Sequence, residues 1–411
     1  MKAVAGNTSN PSGTVRGKWL FLAAFSFACL LFWWLPSLLF RLVIHMADPV
    51  EDGTIVISVC ALLLFSAGFL LPTRSRSPLV IPEPLADACE AFAWKATLIT
   101  ALPAFLLAAE FWHSRSGVDY GKGEGIPGMY QAVLYTDMFL GFLYLGLANP
   151  EKRGWRPLII ACALITLPRL IVSLHWGRFF VTQAAVPILF IAVARGWIQF
   201  SLKRMLQFAL VAAALIFVPA LTRGDDLAGR QELVRFFASG STLRLFQDNL
   251  HLNLDGRCPP LLVSMTAKII PYHAMGVCVI DLWGTKNLPA TLDRLLAYNE
   301  PGSEALLVGP GSNFLLELYL SGGLAGVMAG SALFGVCCRH FIAGIGKRSL
   351  FAGIWAECLT RALLAPRSNL GYVFERIPTL FVATLFVVAL VWTARLLRTG
   401  GAAVEQKAST A

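Results

Sequence analysis

Arginine and glutamate stand in this chain where ionisable groups are expensive. In Pro168-Arg169-Leu-Ile-Val-Ser-Leu-His175-Trp-Gly-Arg178, two guanidiniums bracket a tight connection between apolar runs. Guanidinium forks bind phosphate in a bidentate way that lysine cannot reproduce. Interfacial arginines also snorkel to lipid headgroups, which suits Arg178 at a helix start better than Arg169, a turn or more inside its run. In Asn313-Phe-Leu-Leu-Glu317-Leu-Tyr-Leu-Ser321, the polar residues recur at i, i+4 and i+8, one stripe on a helix descending from the outer surface. Gly322, Gly326 and Gly330 follow as a face suited to close helix packing. Glu357 and Arg361 lie four apart and can neutralise each other, with Arg367, Glu375 and Arg376 just beyond. Arg223, Arg230, Arg235, Arg244 and Arg257 are interleaved with Asp225, Asp226, Glu232, Asp248, His251 and Asp255. Singly these read as solvated loop charges; as a set they could line a cleft for a polar, extended substrate. The chemistry in common is recognition of an anion, most economically a lipid diphosphate, with Glu317, His251 and His175 as candidate bases.

The elements that must position these groups are membrane helices. The chain has 411 residues, 56% hydrophobic and 14% charged, with a mean hydropathy of +0.65. Runs of about 20 apolar residues match the ~30 Å hydrocarbon core. Ten spans are expected, near 19–40, 53–72, 91–111, 129–148, 156–175, 178–195, 204–221, 311–336, 350–366 and 377–397. The expected organisation is a disordered tail over 1–18, seven spans over 19–221, a large loop over 222–310, three spans over 311–397 and a short tail over 398–411. Leu227–Ala238 reads as a short amphipathic helix. The apolar stretch Cys258–Trp283, with Lys268, Pro271 and His273, reads as re-entrant or interfacial.

The basic residues set an expected orientation. Seventeen fall on the side that holds both termini and seven in the short segments opposite. Long loops are exempt from the positive-inside rule, so both termini are expected in the cytoplasm and the large loop outside. The net charge of +10 is explained by this bias and by the outer arginines, so no nucleic-acid partner is indicated.

No nucleotide fingerprint, zincin motif or nucleophile elbow appears, and no cofactor or metal is expected. Loop carboxylates could still hold a divalent ion. Cys29, Cys60, Cys162, Cys337, Cys338 and Cys358 sit in apolar runs as small inert residues. Cys258 and Cys278 both lie in the large loop, where a disulfide between them is one option.

At these residues the chain resembles the Wzy-type O-antigen polymerases, which are related to the O-antigen ligases. The resemblance covers the architecture from about 90 to 400. It rests on many spans, a large late loop, an arginine-bearing hairpin before it, and a span after it opening on Ser312, Glu317, Tyr319, Gly323 and Gly326. The hairpin departs from the family pattern, reading Leu-His175-Trp-Gly-Arg178 in place of a Ser-Arg-Gly type run. The resemblance implies a GT-C-like, all-α membrane glycosyltransferase with an undecaprenyl-diphosphate-linked oligosaccharide as substrate. It implies a place in the bacterial inner membrane, with membrane lipids and a chain-length regulator protein as further partners. Under it, Arg169, Arg178, Arg223, Arg230, Arg257, Arg361, Arg367, Arg376 and Asn313 are expected to hold the diphosphate, with Glu317, His251 or His175 as base. The alternatives are a ligase with a lipid A core acceptor and a lipid-linked oligosaccharide flippase. Transporters tend to show paired broken helices in both halves, a pattern this chain lacks.

Overall fold

The computed structural model describes residues 11–35, 50–72, 82–114, 128–175, 179–198, 242–250, 313–368, 370–374 and 376–409. Among them every regular element is helical. They are α1 (Pro11–Cys29) continuing through a π turn (Leu30–Trp34), α2 (Asp52–Leu70), α3 (Glu83–Ser114), α4 (Gly128–Leu147), α5 (Pro150–Arg153), α6 (Arg156–His175) and α7 (Phe179–Ala194). After these come α8 (Thr242–Asp248), α9 (Phe314–Ile345), α10 (Ala352–Ala362), a 3-10 turn (Ala365–Arg367), α11 (Leu370–Phe374) and α12 (Ile377–Ser409). Six of the described helices are long and apolar enough to cross a membrane: Val15–Trp34, Asp52–Leu70, Glu83–Glu110, Arg156–Ser173, Phe314–Ile345 and Leu370–Leu397. Ala132–Leu147 and Val181–Ala194 are shorter apolar helices. The outward faces of the long helices are apolar as well: Ile99 of α3 is 72% exposed and Phe386 of α12 68%. Such surfaces are unsuited to water, so the chain is an all-α membrane protein.

Several expected boundaries shift. Helix starts at Pro11, inside the segment expected to be a tail, and α12 continues to Ser409. The span expected over 350–366 is an 11-residue helix followed by a turn. At 1.5 Å per residue α10 is about 16 Å long, too short to cross the hydrocarbon core. The span expected over 204–221, the helix at 227–238 and the segment 258–283 lie outside the described residues.

The helix ends sort into two groups. At what we term the proximal end, Gly17 of α1 packs on Ala194 of α7 and Ile342 of α9. There Arg195 donates to the carbonyls of Gly146, Ala148 (3.0 Å) and Lys347 (2.9 Å). Arg348 donates to Leu147 O (2.6 Å), Asp87 (2.6 Å) and Glu90 (2.7 Å), and Arg153 also reaches Glu90. At the distal end Trp34 Nε1 donates to Ser58 Oγ at 3.0 Å. Helix α8, from the large loop, docks on this end: Glu51 N donates to Gln247 Oε1, and Phe246 packs edge-on against Tyr319.

The largest departure from expectation is α9, which is a hairpin and not a straight span. Residues 314–321 fold back along 324–345 through non-helical Gly322 and Gly323. Phe314 lies 5.6 Å from Phe334, whereas a straight helix would hold them about 30 Å apart. Gly323 makes the bend with φ 61 and ψ −155, a conformation open in practice only to glycine. Gly326 and Gly330 do not serve another helix; they receive Leu318 of the folded-back limb. Close approach to α2 falls instead to Gly68 and Gly335, where a Cβ would run into the carbonyls of Ala332 and Phe65. Phe21, Phe25, Phe65, Phe69 and Phe334 fill the seam among α1, α2 and α9.

Candidate functional site

The folded-back limb carries its polar stripe toward the distal end. Asn313 is fully buried and caps the limb, its Oδ1 accepting from Leu315 N at 2.9 Å. Glu317, also fully buried, accepts from Leu370 N at 2.6 Å, so its carboxylate caps the first turn of α11. Helix α11 sits between Glu317 and α10, because Tyr372 O accepts from Arg361 Nη1 at 2.9 Å. The Arg361 guanidinium also lies over the Tyr372 ring, 4.5 Å from its centroid. The 3-10 turn before α11 is pinned by Trp33 Nε1, which donates to Pro366 O at 3.0 Å. Beside it the Arg367 guanidinium lies 5.8 Å over the Phe32 ring.

Glu357 joins this region to its neighbours. It pairs with Arg361 at 3.2 Å, as the i, i+4 spacing suggests, and with Arg376 at 3.6 Å. The Arg376 guanidinium lies over the Tyr135 ring of α4, 3.4 Å from the centroid. Two residues along α4, buried Asp137 binds Arg169 at 3.0 Å. Thr100 donates to the other Asp137 oxygen at 3.3 Å. Arg169 gives its remaining terminal donors to the carbonyls of Ile165 and Leu134, and it is only 2% exposed. Glu357 is close enough to act on the Arg169 charge. Buried charges are tolerable only when paired and hydrogen-bonded in this way.

The structure therefore brings together Glu317, Arg361, Arg367 and Arg376 around 364–376, with Asn313 one turn before Glu317 on the folded-back limb and Arg169 linked through α4. His175 is the last residue of α6. Arg178, Arg223, Arg230, His251, Arg257, Cys258 and Cys278 lie outside the described residues. Asp137 and Tyr135 went unnoticed in the sequence. The signal for Asp137 was present, since a lone carboxylate in an apolar run meets the same criterion that singled out Glu317. Tyr135 has no such mark; only the fold places it beneath Arg376. Among the described residues no cluster of three potential metal ligands occurs.

Fold and site together define an all-α membrane protein that holds a linked set of carboxylates and guanidiniums among its helices. No family model, curated protein or solved structure matches the chain.

Proposed function

We propose that this protein polymerises oligosaccharide repeat units carried on undecaprenyl diphosphate. It is a multi-span, GT-C-like glycosyltransferase of the bacterial inner membrane, with both termini in the cytoplasm and the distal end facing the periplasm. A hydroxyl of the incoming lipid-linked unit attacks the anomeric carbon of the growing chain. The bond from that carbon to the diphosphate breaks with inversion, and the lipid diphosphate leaves. Arginines stabilise the charge that develops on the leaving oxygen, and a base accepts the hydroxyl proton. Glu317 is the first candidate for that base.

The observation that supports this reading is the convergence of Glu317 with Arg361, Arg367 and Arg376 on one short segment of a membrane protein. The proximal helix ends tied by Arg195 and Arg348 favour surface chemistry over a transport path. Deleting the gene tests the proposal, read as the length of glycan left on the lipid carrier. Single repeat units would support it. Long polymers still building up on the carrier would replace it with the ligase reading.

A further inference from the structure

In sequence Phe32, Trp33 and Trp34 are no more than the apolar end of a span. On a regular α-helix successive side chains point about 100° apart, so three in a row fan over about 200°, wider than the stripe a helix buries against one neighbour. The chain leaves α-helical winding here, because Leu30–Trp34 is a π turn. Such turns are rare and recur at functional sites. Within it each of the three rings has its own partner in the protein.

Trp33 is fully buried, and its Nε1 donates to Pro366 O at 3.0 Å, 333 positions away in the chain. That carbonyl belongs to the 3-10 turn, one residue before Arg367. The same indole packs on Phe314, with ring centroids 5.7 Å apart, at the start of the limb that carries Glu317. Phe32 sets its ring under the Arg367 guanidinium, 5.8 Å from the centroid. Trp34 Nε1 donates to Ser58 Oγ at 3.0 Å, and Ser58 donates in turn to Ile55 O at 2.7 Å, which fixes the turn against α2. Filling space needs ring volume and no directed bond. Here adjacent residues of one turn spend an N–H on the backbone beside an arginine and a π face on its charge. Arg367 is exposed on a three-residue turn, where ordering a long side chain costs rotamer entropy.

We infer that Trp33 and Phe32 are positioning residues for Arg367. Trp33 sets its backbone and Phe32 its guanidinium, and through Phe314 the same turn ties that charge to the limb of Glu317. The inference deepens the proposed function and rests on it in taking Arg367 as a working group of the site. Both aromatic residues act through the arginine, and neither is a ligand.

The test measures how fast p-hydroxyphenylglyoxal, an arginine reagent, modifies Arg367 in the full-length protein in detergent. The rate is resolved by mass spectrometry against Arg395, which is exposed on α12 in the same molecule. Unfolding temperature and the polymer made in cells are followed for the same variants. Phe32→Leu keeps an apolar side chain and removes the π face. It should raise the Arg367 rate about two- to fivefold, with Arg395 unchanged and the unfolding temperature little altered. Phe32→Tyr restores a ring and should bring the rate back near wild type. Trp33→Phe keeps a ring and removes the Nε1 donor; it should raise the Arg367 rate too, at a lower unfolding temperature because the smaller ring leaves a cavity. Phe32→Leu and Trp33→Phe should both shorten the polymer. An Arg367 rate unmoved in both variants overturns the inference. So does a rise matched at Arg395, which is general loosening, and so does wild-type polymer from variants whose Arg367 has been freed. The reagent reports on Arg367 whether or not glycan is transferred. Failure of the polymerase reading in the gene deletion, with Arg367 still freed in the variants, is thus told apart from failure of the positioning.

Discussion

The two ends of the molecule spend the donors of arginine to different degrees. At the proximal end Arg195 and Arg348 each end in three acceptors, most of them backbone carbonyls at helix termini. Helix ends leave such carbonyls without intrahelical partners, and a guanidinium fork can gather several from different helices. Rings lie under arginines at both ends, Trp197 under Arg195 at 5.2 Å and aromatic rings under Arg361, Arg367 and Arg376; the distal end differs in Arg376, whose guanidinium makes no hydrogen bond among the described residues. An arginine that closes off carbonyls is mechanical. One held by a ring face without a hydrogen bond stays charged, oriented and able to engage something else.

Breaking the buried pair of Arg169 and Asp137 should have the largest effect. Arg169→Ala strands Asp137, which is fully buried, and should destabilise the protein by about 3–5 kcal/mol, seen as a lower unfolding temperature in detergent. Arg348→Ala should also lower that temperature, but by less. Arg348 is 17% exposed and Asp87 40%, and Glu90 keeps Arg153. If the proximal arginines are mechanical, whatever Arg348→Ala protein remains folded should make polymer of wild-type length. Short glycan from folded Arg348→Ala protein would erase the contrast between the two ends. Gly323→Ala forces a side chain into a glycine-only conformation and should cost about 1–3 kcal/mol. Glu317→Gln keeps an oxygen for Leu370 N, so folding should persist while polymer synthesis falls steeply. Full chain length in that variant would leave Glu317 as a cap for α11 and nothing more. Smallest of all, Lys152→Ala removes an exposed pair with Glu83, each about half exposed, and should change neither stability nor polymer length measurably.

How much was legible in the sequence differs between these same regions. Apolar run length marked the membrane helices, because the bilayer fixes that length. Basic residues assigned to one side, among them Lys152, Arg153, Arg195, Lys347 and Arg348, do gather at one end. The pair Glu357 and Arg361 could be read because four residues make one helical turn. Glu317 could be found as a charge in an apolar run, but its direction could not. The stripe Asn313, Glu317, Ser321 has the same spacing on a straight helix and on a limb folded back, and only the backbone at Gly323 separates the two. The ring beneath Arg376 and the pair of Arg169 with Asp137 join residues far apart in sequence, 32 positions in the latter case. Periodicity carries no information about such contacts.

The hairpin at Gly323 also has a consequence for biogenesis. A limb of eight residues, 314–321, is far too short to be delivered into the bilayer as a span, and Glu317 cannot find Leu370, 53 positions later, until that stretch has been synthesised. The limb must therefore be seated after its own descending helix and after the helices that follow it. Assembly of the charged cluster is in this way deferred until chain synthesis is nearly complete, and a nascent chain stalled before α11 would carry a buried glutamate with no helix to cap.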